Sequence, residues 1–97
     1  MIEINQNNES EFEVVIRESG SESRHHVTMD RKTCERLTAG RHTPERCLEA
    51  AFRFLLDREP KESILRRFGI TAISRHFPEF ERELPSYLSR SSGPQEK

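Results

Sequence analysis

The residues of this chain best suited to chemistry are His25, His26, His42, His76, Cys34 and Cys47. Zinc takes its ligands in closely spaced pairs, because one turn or loop must offer two of them to a single tetrahedron. No Cys–Cys or Cys–His pair here has that spacing. His25 and His26 fall on opposite faces of an extended segment, so no metal site is expected. A cysteine nucleophile needs a base beside it and a lowered pKa. Cys47 instead falls on the inward side of an apolar helix, where a cysteine behaves as a small hydrophobe. The four glycines are isolated, so no phosphate cradle forms, and the carboxylates lie in charged surface stripes. No catalytic or cofactor-binding residue, no cofactor and no small-molecule substrate are expected.

Arginine is the remaining chemical resource, thirteen against three lysines. Residues 26–55 resemble the ribbon-helix-helix proteins in their order of elements, and that resemblance would make Arg24, His26 and Thr28, alternate polar positions of one strand, contacts for a nucleic acid. Residues 64–76 look like a helix-turn-helix, which would make Arg66, Arg67 and Arg75 the other candidates. Bulk charge does not favour such a partner. The net charge is −1; residues 1–23 carry −5 and residues 24–97 carry +4. That is an acidic front on a mildly basic body, not a basic arm.

Hydrophobic residues make up 32% of the chain and charged residues 34%, which leaves a thin core. The apolar positions are nevertheless periodic, so a folded domain with a charged surface is expected. The first ten residues are largely polar, and residues 89–97 contain nothing apolar. The expected organisation is a disordered tail at 1–10, one domain at 11–88 and a second disordered tail at 89–97. No apolar run is long enough for a membrane span or a secretory leader, and two cysteines make no disulfide framework. The chain reads as cytoplasmic, with free thiols.

Residues 11–17 alternate, with Phe12, Val14 and Ile16 on one face. Residues 24–29 alternate likewise, with His25, Val27 and Met29 on one face. The polar segment 18–23 joins them, which predicts an antiparallel hairpin with one apolar face. Asp30 caps a short helix carrying Cys34 and Leu37 inward and stopping at Gly40. The strongest helix spans about 44–58. Thr43 is its N-cap, Pro44 its first residue, and Glu45, Glu49, Arg53 and Asp57 form its polar stripe. Its apolar arc is too wide for a hairpin alone to cover, so residues around Phe77, Phe80 and Leu84, or a second chain, must take the other side. A third helix is expected over 61–68, with Ile64, Leu65 and Phe68 inward. Thr71 caps a short turn, and Pro85 interrupts the last helical segment. The fold class is α+β: an N-terminal antiparallel hairpin followed by three to four short helices.

Three resemblances bear on function. The block Arg58-Glu59-Pro60-Lys61-Glu62-Ser63-Ile64-Leu65, with the later Phe77-Pro78-Glu79, resembles a group of short uncharacterised bacterial proteins. It implies a bacterial stand-alone domain and brings no activity. Residues 26–55 resemble, in their order of elements, the ribbon-helix-helix proteins, in which paired strands read the major groove. That resemblance would make Arg24, His26 and Thr28 the readers. Its first helix is short, its strand already has a partner, and Glu11 and Glu13 would meet the phosphates. Residues 64–76 look like a helix-turn-helix with its turn at Gly69, stopped early by Pro78. The expected function is a non-enzymatic protein-interaction or regulatory module that binds a protein partner or a second copy. DNA-binding regulation of ribbon-helix-helix or helix-turn-helix type is the alternative.

Overall fold

The structure, a computed structural model, describes residues 1–92. The chain is α+β: strands β1 (Ile2–Gln6), β2 (Glu11–Glu18) and β3 (Ser21–Thr28), then helices α1 (Arg31–Thr38) and α2 (Pro44–Leu56), a short strand β4 (Arg67–Gly69), and helices α3 (Ala72–His76) and α4 (Phe80–Ser92). The strands form one sheet in the order β1-β2-β3-β4, antiparallel except for the parallel β3–β4 pair.

The expected hairpin is there, with a tighter turn than the polar segment suggested. Glu18 pairs with Ser21, so the loop is only Ser19-Gly20, both with positive φ (53° and 78°). Such a turn matches the right-handed twist of the flanking strands. The opening residues, expected as a tail, form β1 instead. Ile2 and Ile4 alternate with Glu3 and pair with Ile16 and Val14. Asn8 builds the connection: its Oδ1 accepts from the Ser10 N–H (3.0 Å) and its Nδ2 donates to Glu11 Oε1 (3.0 Å). The free edge of β2 recruits these residues, because an unpaired strand edge offers backbone groups that need partners.

Phe12, Val14, Ile16, His25 and Val27 face inward and are buried. α2 crosses this face. It starts as expected, with Thr43 Oγ1 accepting from the Arg46 N–H at 3.2 Å and Pro44 at the first position. Its Arg53 donates to Glu49 at 2.9 Å on the exposed stripe. The wide apolar arc is covered on both sides within the chain. Phe52 meets His25 and Phe68 towards the sheet, while Phe54 packs edge-on against Phe77, Phe80 and Tyr87. α4 therefore takes the side for which a second chain was the other candidate. Arg58 closes that side, its guanidinium 3.7 Å over the Phe54 ring and 3.0 Å from Glu79.

Two expected helical features are corrected. Residues 61–68 are not a helix: Lys61–Ser63 form one 3-10 turn, and the chain then extends into β4. The edge of β3 draws it out, for the His26 N–H donates to the Arg66 carbonyl (2.6 Å) and the Ile70 N–H donates to the Thr28 carbonyl (2.9 Å). Pairing to a preformed edge outweighs a modest helix propensity. Pro85 does not interrupt α4, which runs through it. Pro85 and Glu81 are both exposed, so water can serve the carbonyl that the missing N–H leaves free. Ser89–Ser92 lie within that helix rather than in a tail, and residues 93–97 of the expected tail lie outside the described residues. Among the described residues no helix is long and apolar enough to cross a membrane.

Candidate interaction site

The candidate contacts for a nucleic acid lie mostly on the outward face of the sheet. Arg24, His26 and Thr28 alternate along β3, and the register puts Arg67 beside His26 and Gly69 beside Thr28. Arg66, Arg24 and His26 border one shallow depression of about 240 Å³. The structure thus brings five of the six together, while Arg75 stands on α3. The same face carries acids. Arg24 is held by Glu13 (3.1 Å) and Glu22 (3.0 Å), and Arg17 by Glu22 (3.1 Å) and Glu3. Val15 sits on this face between Glu3 and Arg24 and is only 1% exposed, because long ion-paired side chains lie over it.

Neither DNA-reading arrangement finds its geometry. A helix-turn-helix needs a helix where residues 64–66 are bent, non-helical chain and Arg67 and Phe68 are strand. A ribbon-helix-helix needs β3 free to pair with a second copy, but β2 lies along its whole length and β4 occupies His26–Thr28.

Cys34 neighbours Cys47 and shares the depression around α1 with His42, whereas His25 lies in the sheet. His25 is buried (2% exposed), its Nδ1 2.7 Å from the Leu65 carbonyl and its Nε2 2.9 Å from Ser23 Oγ. A carbonyl only accepts, so Nδ1 carries the proton and Nε2 accepts from the serine hydroxyl. Burial pushes its pKa down. The bond to Leu65 opposes that, and the Arg66 cation adds to it. Cys34 and Cys47 are free and buried. Burial, then the neighbouring Cys34, pushes the Cys47 thiol up to about 12, and burial also raises Cys34. Such thiols are poor nucleophiles at neutral pH. Among the described residues no group of three His, Cys, Asp or Glu side chains is placed to hold a metal ion.

The apolar concavity of the molecule lies elsewhere, under β4. Leu55 at the end of α2, Ile64, Leu65, Phe68 of β4, and Ile73 and Phe77 around α3 line a groove of about 160 Å³; Glu59, Ser63 and His76 are its polar members. Its geometry begins at Pro60, whose extended backbone ends the α2 turn and opens the 3-10 turn Lys61–Ser63. The Ser63 N–H then donates to the Pro60 carbonyl (2.9 Å) and the Ile64 N–H to the Lys61 carbonyl (3.2 Å). Past that turn the chain bends at Ile64 and again at Arg66 before β4 begins, and these bends leave Ile64 buried and Leu65 54% exposed. The His25 Nδ1–H holds the Leu65 carbonyl between these two bends.

Sequence reasoning placed Leu65 on the inner face of a helix and so missed the groove. A period-two signal was present in Arg67-Phe68-Gly69-Ile70, where Phe68 and Ile70 point inward and Arg67 outward, but it is too short to outweigh the helical spacing. A larger depression of about 420 Å³ lies around α1, with Glu9, Asp30, Arg31 and Glu35 on its walls. These charges suit a wet surface better than an apolar partner.

No family model, curated protein or solved structure matches the chain.

Proposed function

We propose that this chain is a non-enzymatic interaction module of a bacterial cytoplasm, and that it binds a protein partner through the groove beside Leu65. The observation that carries the reading is Leu65 itself. Other large hydrophobic side chains beyond Met1 are buried or half-buried, whereas Leu65 stands half in solvent at the rim of an apolar groove. A groove of about 160 Å³ is smaller than the roughly 300–1,000 Å³ of a small-molecule site. It suits one or two side chains of a protein ligand. Peptide grooves of this kind draw affinity from a few buried anchors rather than from area.

Affinity capture with the wild-type chain and with Leu65→Glu tests it. Both should show the same helical circular-dichroism spectrum, and a protein retained by the wild type should be lost from the variant. Equal retention of the same proteins by both would remove the groove as the partner-binding surface.

Nucleic-acid binding is the second reading, favoured by the clustering of Arg66, Arg67 and His26 at one margin of the sheet. Glu3, Glu11, Glu13 and Glu22 share that face and would repel phosphates. No mobility shift of duplex DNA at low salt would dispose of this reading, since non-specific phosphate binding is strongest there.

A further inference from the structure

The groove runs beneath a strand whose outer edge is open. In a strand, the N–H and C=O of one residue point to one side and those of the next to the other. Arg66 and Ile70 bond to β3, so Phe68 between them faces β3 as well. Arg67 and Gly69 therefore turn two N–H and two C=O groups outward, and no partner within the described chain takes them. Gly69 makes room for Thr28 of β3, whose Oγ1 would lie 3.1 Å from an added Cβ.

The two faces of this edge differ in chemistry. Inward lie Phe68, Leu65, Ile73 and Phe77. Outward lies Arg67, preceded by Arg66, with Arg75 on the adjoining helix. None of the three has a carboxylate partner among the described residues, whereas Arg17 and Arg24 on the same sheet each hold two. Glu59 is the acidic group of the groove, but the charges at β4 itself are arginines.

We propose that β4 and the groove together bind an extended acidic peptide as a fifth strand. Its alternate apolar side chains enter the groove, and its intervening acids meet Arg66 and Arg67. This rests on the groove being the interaction surface and names the class of partner. Strand addition supplies affinity through main-chain hydrogen bonds and specificity through alternate side chains. A second copy pairing β4 to β4 would set Arg67 of one chain near Arg67 of the other, which disfavours that occupant. The chain's own residues 93–97 contain nothing apolar and do not fit the groove either.

The probe is the end-blocked peptide Glu-Val-Glu-Phe-Glu-Val-Glu, titrated into the isotope-labelled chain and followed by amide NMR and hydrogen exchange. The expected result is saturable binding with slowed exchange at Arg67 and Gly69. Affinity should fall at least about tenfold with Arg66→Glu/Arg67→Glu or with N-methylation of alternate peptide amides. A peptide of the same composition with its apolar residues contiguous should bind more weakly. If the contiguous peptide binds as well, or Gly69 is not protected, strand addition is wrong while the groove stands. If the alternating peptide fails to bind at millimolar concentration, the named partner class is wrong. Only indifference of captured proteins to Leu65→Glu takes down the groove as well. Protection of the same amides by self-association, or by DNA that Arg67→Glu releases, would assign the edge to a second copy or to nucleic acid instead.

Discussion

Phe54 and Leu55 are consecutive on α2, and both are buried, at 0% and 3% exposure. Their surroundings differ. Phe54 looks into a closed cluster of Phe77, Phe80 and Tyr87, with Arg58 over its ring and the Tyr87 hydroxyl donating to Asp57. Leu55 looks into the groove, where a 3-10 turn and the five-residue α3 cover the core incompletely. Thirteen residues of α4 can lay several turns along α2; the short elements around Leu55 cannot. Two neighbours with the same hydrophobic signal thus separate into a sealed core and an open one. The open one is where the edge of β4, the unpaired arginines and the exposed Leu65 meet.

The comparison breaks first at Phe54. Phe54→Ala should cost about 3–5 kcal/mol, the usual range for an aromatic removed from a sealed core. In a domain of this size that is a large share of total stability. Urea denaturation followed by circular dichroism reads it, and a loss below about 1 kcal/mol would mean the cluster is not closed.

A smaller effect is expected at the joint between the two regions, where His25 holds Leu65. Its pKa lies below 6.5 in the folded chain because burial disfavours the charged ring. The unfolded chain then binds the proton first, so stability is fully present above pH 6.5 and declines as pH falls from there through the folded pKa. The carboxylates held low by their partners, such as that of Glu79 beside its own N–H and Arg58, act below about pH 4.5 and do not overlap this window. Unfolding free energies measured between pH 5 and 7.5 should slope in the wild type, and the slope should flatten in His25→Asn. An unchanged slope would remove His25 as its source.

Thr43→Ala should cost about 1 kcal/mol by leaving the Arg46 N–H without its cap. The loss should appear equally in the sealed and open regions, because α2 serves both. Hydrogen exchange that weakened on one side alone would show that the two regions unfold separately.

The smallest change in stability belongs to Leu65→Ser, within about 0.5 kcal/mol, since the side chain is already half in water. The same substitution should abolish partner capture. A large stability loss would place Leu65 with the core and erase the distinction drawn at Leu55.

Much of the scaffold was legible because its signals are local. The alternation of Phe12, Val14 and Ile16 and of His25, Val27 and Met29 marks the hairpin. Asp30 caps α1 through the Thr33 N–H at 2.8 Å, and Thr43 with Pro44 starts α2, each visible from residue type and spacing. The site was less legible. Arg24, His26, Thr28, Arg66 and Arg67 could be named from sequence, but not that Glu13 and Glu22 already occupy Arg24 while Arg66 and Arg67 have no acid partner among the described residues. Those pairings depend on register, which no single segment carries.

The sequence by itself determined the class of fold and the inward faces of β2, β3 and α2. These follow from periodicity, which is a property of a segment alone. The tertiary structure decided that residues 1–6 join a sheet and that residues 67–69 extend beside β3 rather than coil. It also decided that α4 seals α2 around Phe54, while the short elements beside Leu55 leave a groove. In each case the deciding partner lies far away in the chain. An unpaired edge of β2 or β3 gains hydrogen bonds from whichever segment the fold brings to it, and that gain exceeds the small differences in local propensity that a sequence displays.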